Sequence, residues 1–191
     1  PFQSHQFHYK FPLFIAPIWI NYIRDPNNPQ IPDGDAFMRI QSFARRIWPS
    51  PSIQQVVPQG PNTLDFAGDL TTGAGWSQLL NELEQMRANA SPGAFHYWYG
   101  LVAPIPNSAV QGQARLSGKV AAGIADSGET MAHELAHNFG RRHAPCDANT
   151  DLDPNYPNSD ASIGEFGFDP VTTQVYPPSS TKDLMSYCVP R

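Results

Sequence analysis

The chain has 191 residues, of which 40% are hydrophobic and 12% aromatic, and its formal net charge is −5. This is enough apolar material for one domain with a buried core, which excludes a disordered tail. The only adjacent basic pairs are Arg45–Arg46 and Arg141–Arg142, so the charge pattern argues against nucleic acid or an anionic membrane as a partner. No apolar run approaches the roughly 20 residues that cross a bilayer, and we expect no membrane span.

The first half of the sequence alternates strand-like and helix-like segments. Residues 13–22 are rich in Ile, Phe and Trp and predict a strand, placed at a sheet edge or bulged because of Pro17. Apolar residues then recur with helical spacing at Phe37, Ile40, Ala44 and Ile47. Asp33 or Asp35 is the expected N-cap of this helix, and Pro49 its end.

A short strand, a second helix and a further strand are predicted between residues 52 and 105. "SIQQVV" has the composition of a strand, and "AFHYWYGLVAPI" predicts another, dense in aromatics and ended by Pro104 and Pro106. Helical spacing lies between them, with core positions at Trp76, Leu79, Leu80, Leu83 and Met86.

Residues 112–128, "GQARLSGKVAAGIADSG", are small and alternate weakly. They predict either a loop with a short strand or an edge strand that pairs with an extended peptide. The segment leads directly into "ETMAHELAHNFG". Beyond His143 there are seven prolines, many Asp, Asn, Ser and Thr, and almost no helical periodicity. That composition predicts a small irregular lobe held by turns, a disulfide or bound ions.

Three of the six histidines lie within eleven residues, in "HELAHNFGRRH". His133 and His137 are four apart, so on a helix they project from one face, and their separation suits two imidazole nitrogens on one zinc ion. Gly140 permits the left-handed backbone that ends a helix, after which the chain can bring His143 to the same ion. Three protein ligands leave a fourth position for water, the mark of a catalytic rather than a structural site. Glu134 is then free to act as general base on that water.

Two cysteines, Cys146 and Cys188, flank the segments that contain His143 and Met185. Free thiols and metal ligands are the alternatives, although neither cysteine belongs to a C-x-x-C pair. A disulfide between the two is our preferred interpretation, and it implies an oxidising compartment and therefore a secreted protein.

The histidine motif, together with "DLMSYC" downstream, resembles the metzincin clan of zinc endopeptidases, whose signature is this motif plus a methionine-containing turn. The resemblance implies an α+β fold: a twisted mixed sheet with backing helices and an active-site helix, plus a small irregular C-terminal lobe. It implies one catalytic domain over residues 1–191, with an upper subdomain at 1–140 and a lower one at 141–191 that carries the turn.

Residue by residue, the resemblance assigns the zinc ligands to His133, His137 and His143 and the general base to Glu134. Met185 matches the methionine beneath the metal. Tyr187 matches the tyrosine that astacin-like and serralysin-like members place near zinc, where its hydroxyl would stabilise the oxyanion. Ala144, which follows the third histidine, indicates no particular subfamily.

A second ion is suggested by "DANTDLD", in which oxygen-bearing side chains alternate at Asp147, Asn149, Asp151 and Asp153. Calcium loops share this alternation. Leu152 stands where such a loop has glycine, and Asn158 where it has a bidentate glutamate. A solvated acidic turn is therefore the alternative to a calcium site.

These observations predict a secreted, monomeric zinc endopeptidase that binds a protein or peptide substrate in extended form. One alternative is a binding or adhesion module that keeps zinc for structure, which would not need Glu134. The other is a zinc hydrolase acting on another amide or an ester, which the edge-strand interpretation of residues 112–128 disfavours.

Overall fold

The computed structural model describes residues 12–25, 27–48, 50, 52–90, 96–106, 108–146 and 150–191. Its elements in chain order are β1 (Leu13–Tyr22), α1 (Ala36–Ile47), β2 (Ile53–Gln55), β3 (Thr63–Phe66), α2 (Gly73–Asn89), β4 (His96–Val102), β5 (Gly112–Ala114), β6 (Val120–Ile124), α3 (Gly128–Asn138), β7 (Gly167–Asp169) and β8 (Gln174–Tyr176). None of the described helices is both long and apolar enough to cross a membrane.

Six strands form one mixed sheet in the order β2-β1-β4-β6-β5, with β3 also paired to β1. All neighbours run parallel except β5, which is antiparallel to β6. The helices cover both faces: α1 and α3 pack in one apolar cluster, and α2 packs in the other. The mixed α/β architecture with its largely parallel sheet is consistent with the predicted α+β class.

The interior position of β1 corrects one prediction. The strand covers the predicted residues, but it lies inside the sheet rather than at an edge. Its partners on one side are two separate strands: β2 pairs with residues 13–15 and β3 with residues 19–22. Pro17 falls in the gap between them, so its missing N–H interrupts no ladder.

The helices begin and end close to the predicted residues. Helix α1 follows Asp35, whose side chain makes no capping hydrogen bond, whereas Asp33 accepts from the Asp35 amide at 2.9 Å. Helix α2 is capped by Thr72, which accepts from the Gly75 amide at 3.1 Å. Its predicted core positions are buried except for Met86, which is partly buried at the rim of the cluster.

Residues 141–191 contain little regular structure in the part of the chain that is described. The strands β7 and β8 form an antiparallel pair of their own, and Ala144, Ala161 and Met185 form a small apolar cluster with Ala136 of α3. A Cys146–Cys188 disulfide crosses this region, with the two Cα atoms 5.9 Å apart. The predicted disulfide is thus present in the structure.

Candidate metal centre

Helix α3 carries His133, Glu134 and His137. It begins at Ser127, whose side chain accepts a hydrogen bond from the Thr130 amide at 3.0 Å. This is the ordinary N-cap contact, which satisfies an amide that has no partner within the helix. Because the two histidines are four residues apart on a regular helix, their rings lie on one face with centroids 4.9 Å apart.

The helix ends at the glycine that the motif predicts. Gly140 has φ +86°, and its amide donates to the His137 carbonyl at 2.9 Å. The Arg141 amide donates to the Ala136 carbonyl, also at 2.9 Å. These two bonds define a Schellman stop, in which a residue with left-handed backbone reverses the chain. A Cβ at this φ would be strained, so the sharp reversal depends on glycine.

After the reversal, His143 is fixed by the backbone of a neighbouring segment. Its amide donates to the Asp151 carbonyl at 3.1 Å, and its carbonyl accepts from the Asp153 amide at 2.8 Å. The Ala144 amide donates to the Met185 carbonyl at 3.1 Å. The backbone at the third histidine is therefore hydrogen-bonded between two loop segments of the C-terminal region, one at residues 151–153 and one at Met185.

The three histidines converge on one point. One ring nitrogen from each lies within 4.8 Å of the others, and no other such group of His, Cys, Asp or Glu occurs among the described residues. All three are largely buried from solvent, with His133 and His143 less than 9% exposed. They form a cluster that is able to bind a metal ion.

Hydrogen bonds to carbonyl oxygens set the tautomer of each ring. The Nδ1 atoms of His133, His137 and His143 lie 2.9, 2.8 and 2.9 Å from the carbonyls of Leu184, Arg141 and Thr150 respectively. A carbonyl can only accept, so each Nδ1 donates and each Nε2 of the neutral ring keeps its lone pair. Backbone partners of this kind orient metal-binding histidines.

The close approach of two of these nitrogens fits a shared cation. The Nε2 atoms of His137 and His143 are 3.1 Å apart, yet with both Nδ1 atoms donating, neither Nε2 has a proton to offer. Two facing lone pairs repel unless a positive charge lies between them. Nitrogens bonded to one tetrahedral zinc at about 2.0–2.1 Å lie roughly 3.3 Å apart. Three neutral imidazoles suit zinc as well as several other transition metals.

Burial also keeps the rings in the form that binds metal. Burial lowers the pKa of His133 to about 4, against the weaker opposing effect of its bond to the Leu184 carbonyl. It lowers the pKa of His137 as well. Both rings are therefore neutral near pH 7, and binding need not first displace a proton from them.

Glu134 lies beside the cluster without a hydrogen-bonding partner among the described residues. It is 7% exposed, and burial raises the pKa of its carboxyl to about 8. Its place on α3 is one residue past His133, so it is not needed as a ligand. A buried carboxyl that no neighbouring group neutralises is characteristic of a functional site rather than of packing.

Tyr187 and Met185 take different positions around the histidines. The Tyr187 hydroxyl is 3.3 Å from His143 Nε2, and the two rings have centroids 5.0 Å apart. Because that nitrogen is an acceptor, the hydroxyl donates to it. Burial and the nearby Glu134 raise the pKa of Tyr187, so it stays protonated. Met185 is buried in the small cluster against Ala136, beneath the helix that carries the histidines.

The edge strand β5 runs along the same site. A Cβ at Gly112 would lie 2.7 Å from Thr130 Cγ2 and 2.9 Å from Glu134 Cγ, so glycine permits the strand to pass close to α3. Hollows of about 260 and 230 Å³ lie on either side of Glu134, and Gly112 and Tyr187 line both. Among the described strands, β5 has a neighbour on one side only. Together these features form a groove beside the metal centre.

The predicted calcium residues fall partly outside the described chain. Asp147 and Asn149 are not among the described residues. Asp151 pairs with Arg142 at 3.3 Å, and Asp153 accepts from the Asn155 amide at 2.9 Å. These contacts give the two described carboxylates roles in the turn, and the calcium site stays a prediction.

Several residues of the site were not expected from the sequence. The main-chain carbonyls of Arg141, Thr150 and Leu184 orient the histidines. Every residue has such a carbonyl, so no residue type in the sequence indicates which ones do so. Asp183 is different: its carboxylate accepts from the Met185 amide at 2.7 Å and from the Tyr156 hydroxyl at 3.2 Å. An aspartate two residues before the methionine in "DLMSY" is a signal for this local turn.

No protein-family model matches the chain, and no curated protein matches it. The function is therefore inferred from the chemistry of the site.

Proposed function

We propose that the protein is a secreted, zinc-dependent endopeptidase of the metzincin type. The single observation that carries the proposal is the position of Glu134. A buried carboxyl with no partner in the described chain lies one residue from a metal-binding histidine and lines the hollows on either side. A purely structural metal site has no use for such a group, because burying it without a partner costs stability.

The residues divide the work of peptide hydrolysis between them. His133, His137 and His143 present three lone pairs, held in place by backbone carbonyls. A bound zinc ion would supply Lewis acidity, lowering the pKa of a water and polarising the scissile carbonyl. Glu134, as the carboxylate that a nearby bound cation would favour over the acid, would take the proton from the attacking water and deliver it to the leaving amine. When the lone pair of His143 is taken by a zinc ion, the protonated Tyr187 hydroxyl would be released from that nitrogen and would donate a hydrogen bond to the oxyanion that develops.

The groove supports a peptide as the substrate. An edge strand offers unpaired backbone N–H and C=O groups, which bind an extended peptide as one more strand. β5 borders the hollows on both sides of Glu134, so a peptide paired with it would pass the catalytic carboxyl with residues on either side of the scissile bond. That arrangement favours an endopeptidase over a hydrolase of small esters.

The compartment is inferred from the disulfide. Cys146–Cys188 joins the segment after His143 to the segment after Met185. Structural disulfides persist in oxidising environments and are rare in the cytosol. Secretion is therefore the proposed localisation.

Glu134→Gln tests the proposal directly. The change keeps the size of the side chain and removes the base but no metal ligand, so turnover of casein or of a mixed peptide library should fall by about a hundredfold or more. Zinc content, measured by elemental mass spectrometry, should stay near that of the wild type. Glu82→Gln is the matched control, since Glu82 is on the surface of α2, where its carboxylate accepts from Gln78.

Two outcomes contradict the proposal in different ways. If Glu134→Gln retains turnover within a few-fold of the wild type, Glu134 is not the base. If the wild type binds zinc but shows no cleavage that a chelator abolishes, the metal serves a binding module instead.

A further inference from the structure

A second kind of pocket in the described structure lies away from the groove. It encloses about 740 Å³ and contains none of the three histidines among its lining residues. Its walls come from the start of β1, the end of α1, the start of β4 and the turn after α3. Small-molecule sites have volumes of roughly 300–1,000 Å³ and apolar walls with a few polar groups, so the size alone is that of a ligand site.

The walls are aromatic and rigidly arranged. Phe139 makes edge-to-face contacts with Trp48 and Tyr97, each with ring centroids 5.1 Å apart. Leu13 and Phe14 complete the apolar surface. Contacts of this geometry are favourable and fix the rings relative to one another. The pocket therefore offers a shaped apolar surface rather than a collapsible gap.

Two cations and no carboxylates line the same pocket. Lys119 and Arg141 are among its described lining residues, and no Asp or Glu is. Lys119 Nζ lies over the Tyr97 ring, 4.0 Å from its centroid, and donates to the Tyr97 hydroxyl at 2.9 Å. Four described cations make no ion pair with another described residue: Arg45, Arg87, Lys119 and Arg141. Two of these four cations, Lys119 and Arg141, line this pocket.

We propose that this pocket binds a small amphipathic anion, a carboxylate attached to an alkyl or aryl body. The apolar part would lie against Phe14, Trp48 and Phe139, and the carboxylate would pair with Lys119 and Arg141. Charged hydrogen bonds are the stronger class, and both cations lack an acidic partner in the described chain. Residues 1–11, which precede the pocket in sequence, include Lys10 but no Asp or Glu, so their charge does not complement it.

The site is separate from the proposed catalysis. Phe139, Gly140 and Arg141 line the pocket and also join His137 to His143 in the chain, but the histidines and Glu134 do not line it. Binding can therefore be measured without turnover. Failure of this inference would leave the peptidase proposal unaffected.

Laurate, titrated calorimetrically into the intact protein below its micelle-forming concentration, is the probe. We expect saturable binding with one site per chain, and at least tenfold weaker binding of dodecyltrimethylammonium, which has the same chain and the opposite charge. Lys119→Met should weaken laurate binding at least tenfold, as loss of a charged hydrogen bond predicts. Arg45→Met is the matched control: it removes an unpaired, exposed cation outside the pocket and should change the affinity less than twofold.

The site of binding is mapped with a laurate analogue that carries a terminal diazirine. Crosslinks are expected on peptides containing Phe14, Tyr97 or Phe139, located by mass spectrometry. The proposal is overturned by any of three results: no saturable binding, equal affinity for the cationic probe, or crosslinks confined to the Tyr187 peptide of the groove. The comparison of the two probes uses the wild type alone, so it holds even if Lys119→Met does not fold.

Discussion

Residues 12–140 and residues 141–191 both contribute to the candidate metal centre, but the two regions are ordered by different interactions. The first region buries two large apolar clusters between a sheet and its helices. Over its described residues, the second has only a small cluster of alanines with Met185, a two-stranded ladder and a disulfide. Phe166, Phe168 and Val175 in and beside that ladder are more than half exposed. One region is held by packing, and the other by turns, backbone hydrogen bonds and a covalent link.

The comparison explains why the metal site depends on both regions. His133, Glu134 and His137 are placed by a capped helix that packs on the sheet. His143 and Tyr187 come from the region with little core. A metal ion that binds across the boundary would therefore add to the stability of the less packed region, because it binds the native arrangement and not the unfolded one.

The largest effect is expected from His143→Ala, which removes the ligand that the C-terminal region supplies. Zinc affinity should fall by more than the roughly 10–100-fold that loss of an outer hydrogen-bond partner costs. Competition with a chromophoric chelator measures it. Zinc should also raise the thermal midpoint of the wild type but not of this variant.

His96→Ala provides the control for that experiment. His96 contacts Phe14 with ring centroids 5.5 Å apart and ring planes tilted by 48°, and it is not part of the histidine cluster. Its zinc affinity should match the wild type. Equal losses in the two variants would mean that the cluster is not the zinc site.

The next effect is expected from removing the disulfide, in a Cys146→Ser and Cys188→Ser double variant. The bond spans 42 residues, for which the chain-entropy model predicts a stabilisation of about 4 kcal/mol. Hydrogen exchange should show the loss of protection concentrated in residues 141–191, because residues 12–140 have their own core. A uniform loss over the whole chain would instead show that the two regions unfold as one unit.

The smallest effect concerns an ion pair that joins α1 to the C-terminal strands. Arg46 Nη1 lies 2.6 Å from Asp169 Oδ2. Burial raises the pKa of Asp169, but hydrogen bonds from Val171 and Thr172, and then the charge of Arg46, lower it by more, and the net shift is downward. A carboxyl whose pKa is lower in the folded than in the unfolded protein stabilises the folded state at pH values above its unfolded pKa, near 3.9. This stabilisation is lost as the pH falls through the folded pKa.

Arg46→Met should therefore increase exchange of the β7 and β8 amides at pH 7 by less than tenfold. Below about pH 4 the difference from the wild type should shrink as Asp169 is protonated. Arg45 is a neighbouring, exposed cation that makes no ion pair with another described residue, so Arg45→Met should not alter exchange in these strands. If the difference between the two proteins does not shrink even once the folded Asp169 is protonated, as followed by NMR of its carboxyl, the ion pair does not anchor the ladder.

Elements that bury several side chains could be predicted from the sequence. α1 and α2 bury one helical face, whereas β1, β4 and α3 bury runs of consecutive residues, and each element lies close to its predicted place. β3 was not predicted, because Thr63–Phe66 is only four residues long and has one buried position. The interior place of β1 was mispredicted, because the gap opposite Pro17 depends on two partners distant in sequence. β7 and β8 are not buried, so no burial pattern could indicate them.

The candidate site divides in the same way. The pairing of His133 with His137 and the stop at Gly140 follow from local helix geometry, and both are present in the structure. The approach of His143, Met185 and Tyr187 depends on loops without periodicity, and only the resemblance to a known motif indicated it. Arg191 pairs with Glu129 at 2.6 Å beside the groove. Neither local helix geometry nor the motif indicated this residue.

The three carbonyls that orient the histidines have a consequence for variation. Arg141 and Thr150 direct their main-chain oxygen to a histidine, while their side chains line pockets. Each of these residues thus has two separate roles. Its main-chain carbonyl oxygen orients a histidine whatever the residue type, whereas its side chain sets the chemistry of the pocket. We expect side chains at these positions to tolerate exchange, proline excepted, with the imidazoles undisturbed. Ligand preference can then drift during evolution while the metal chemistry stays constant.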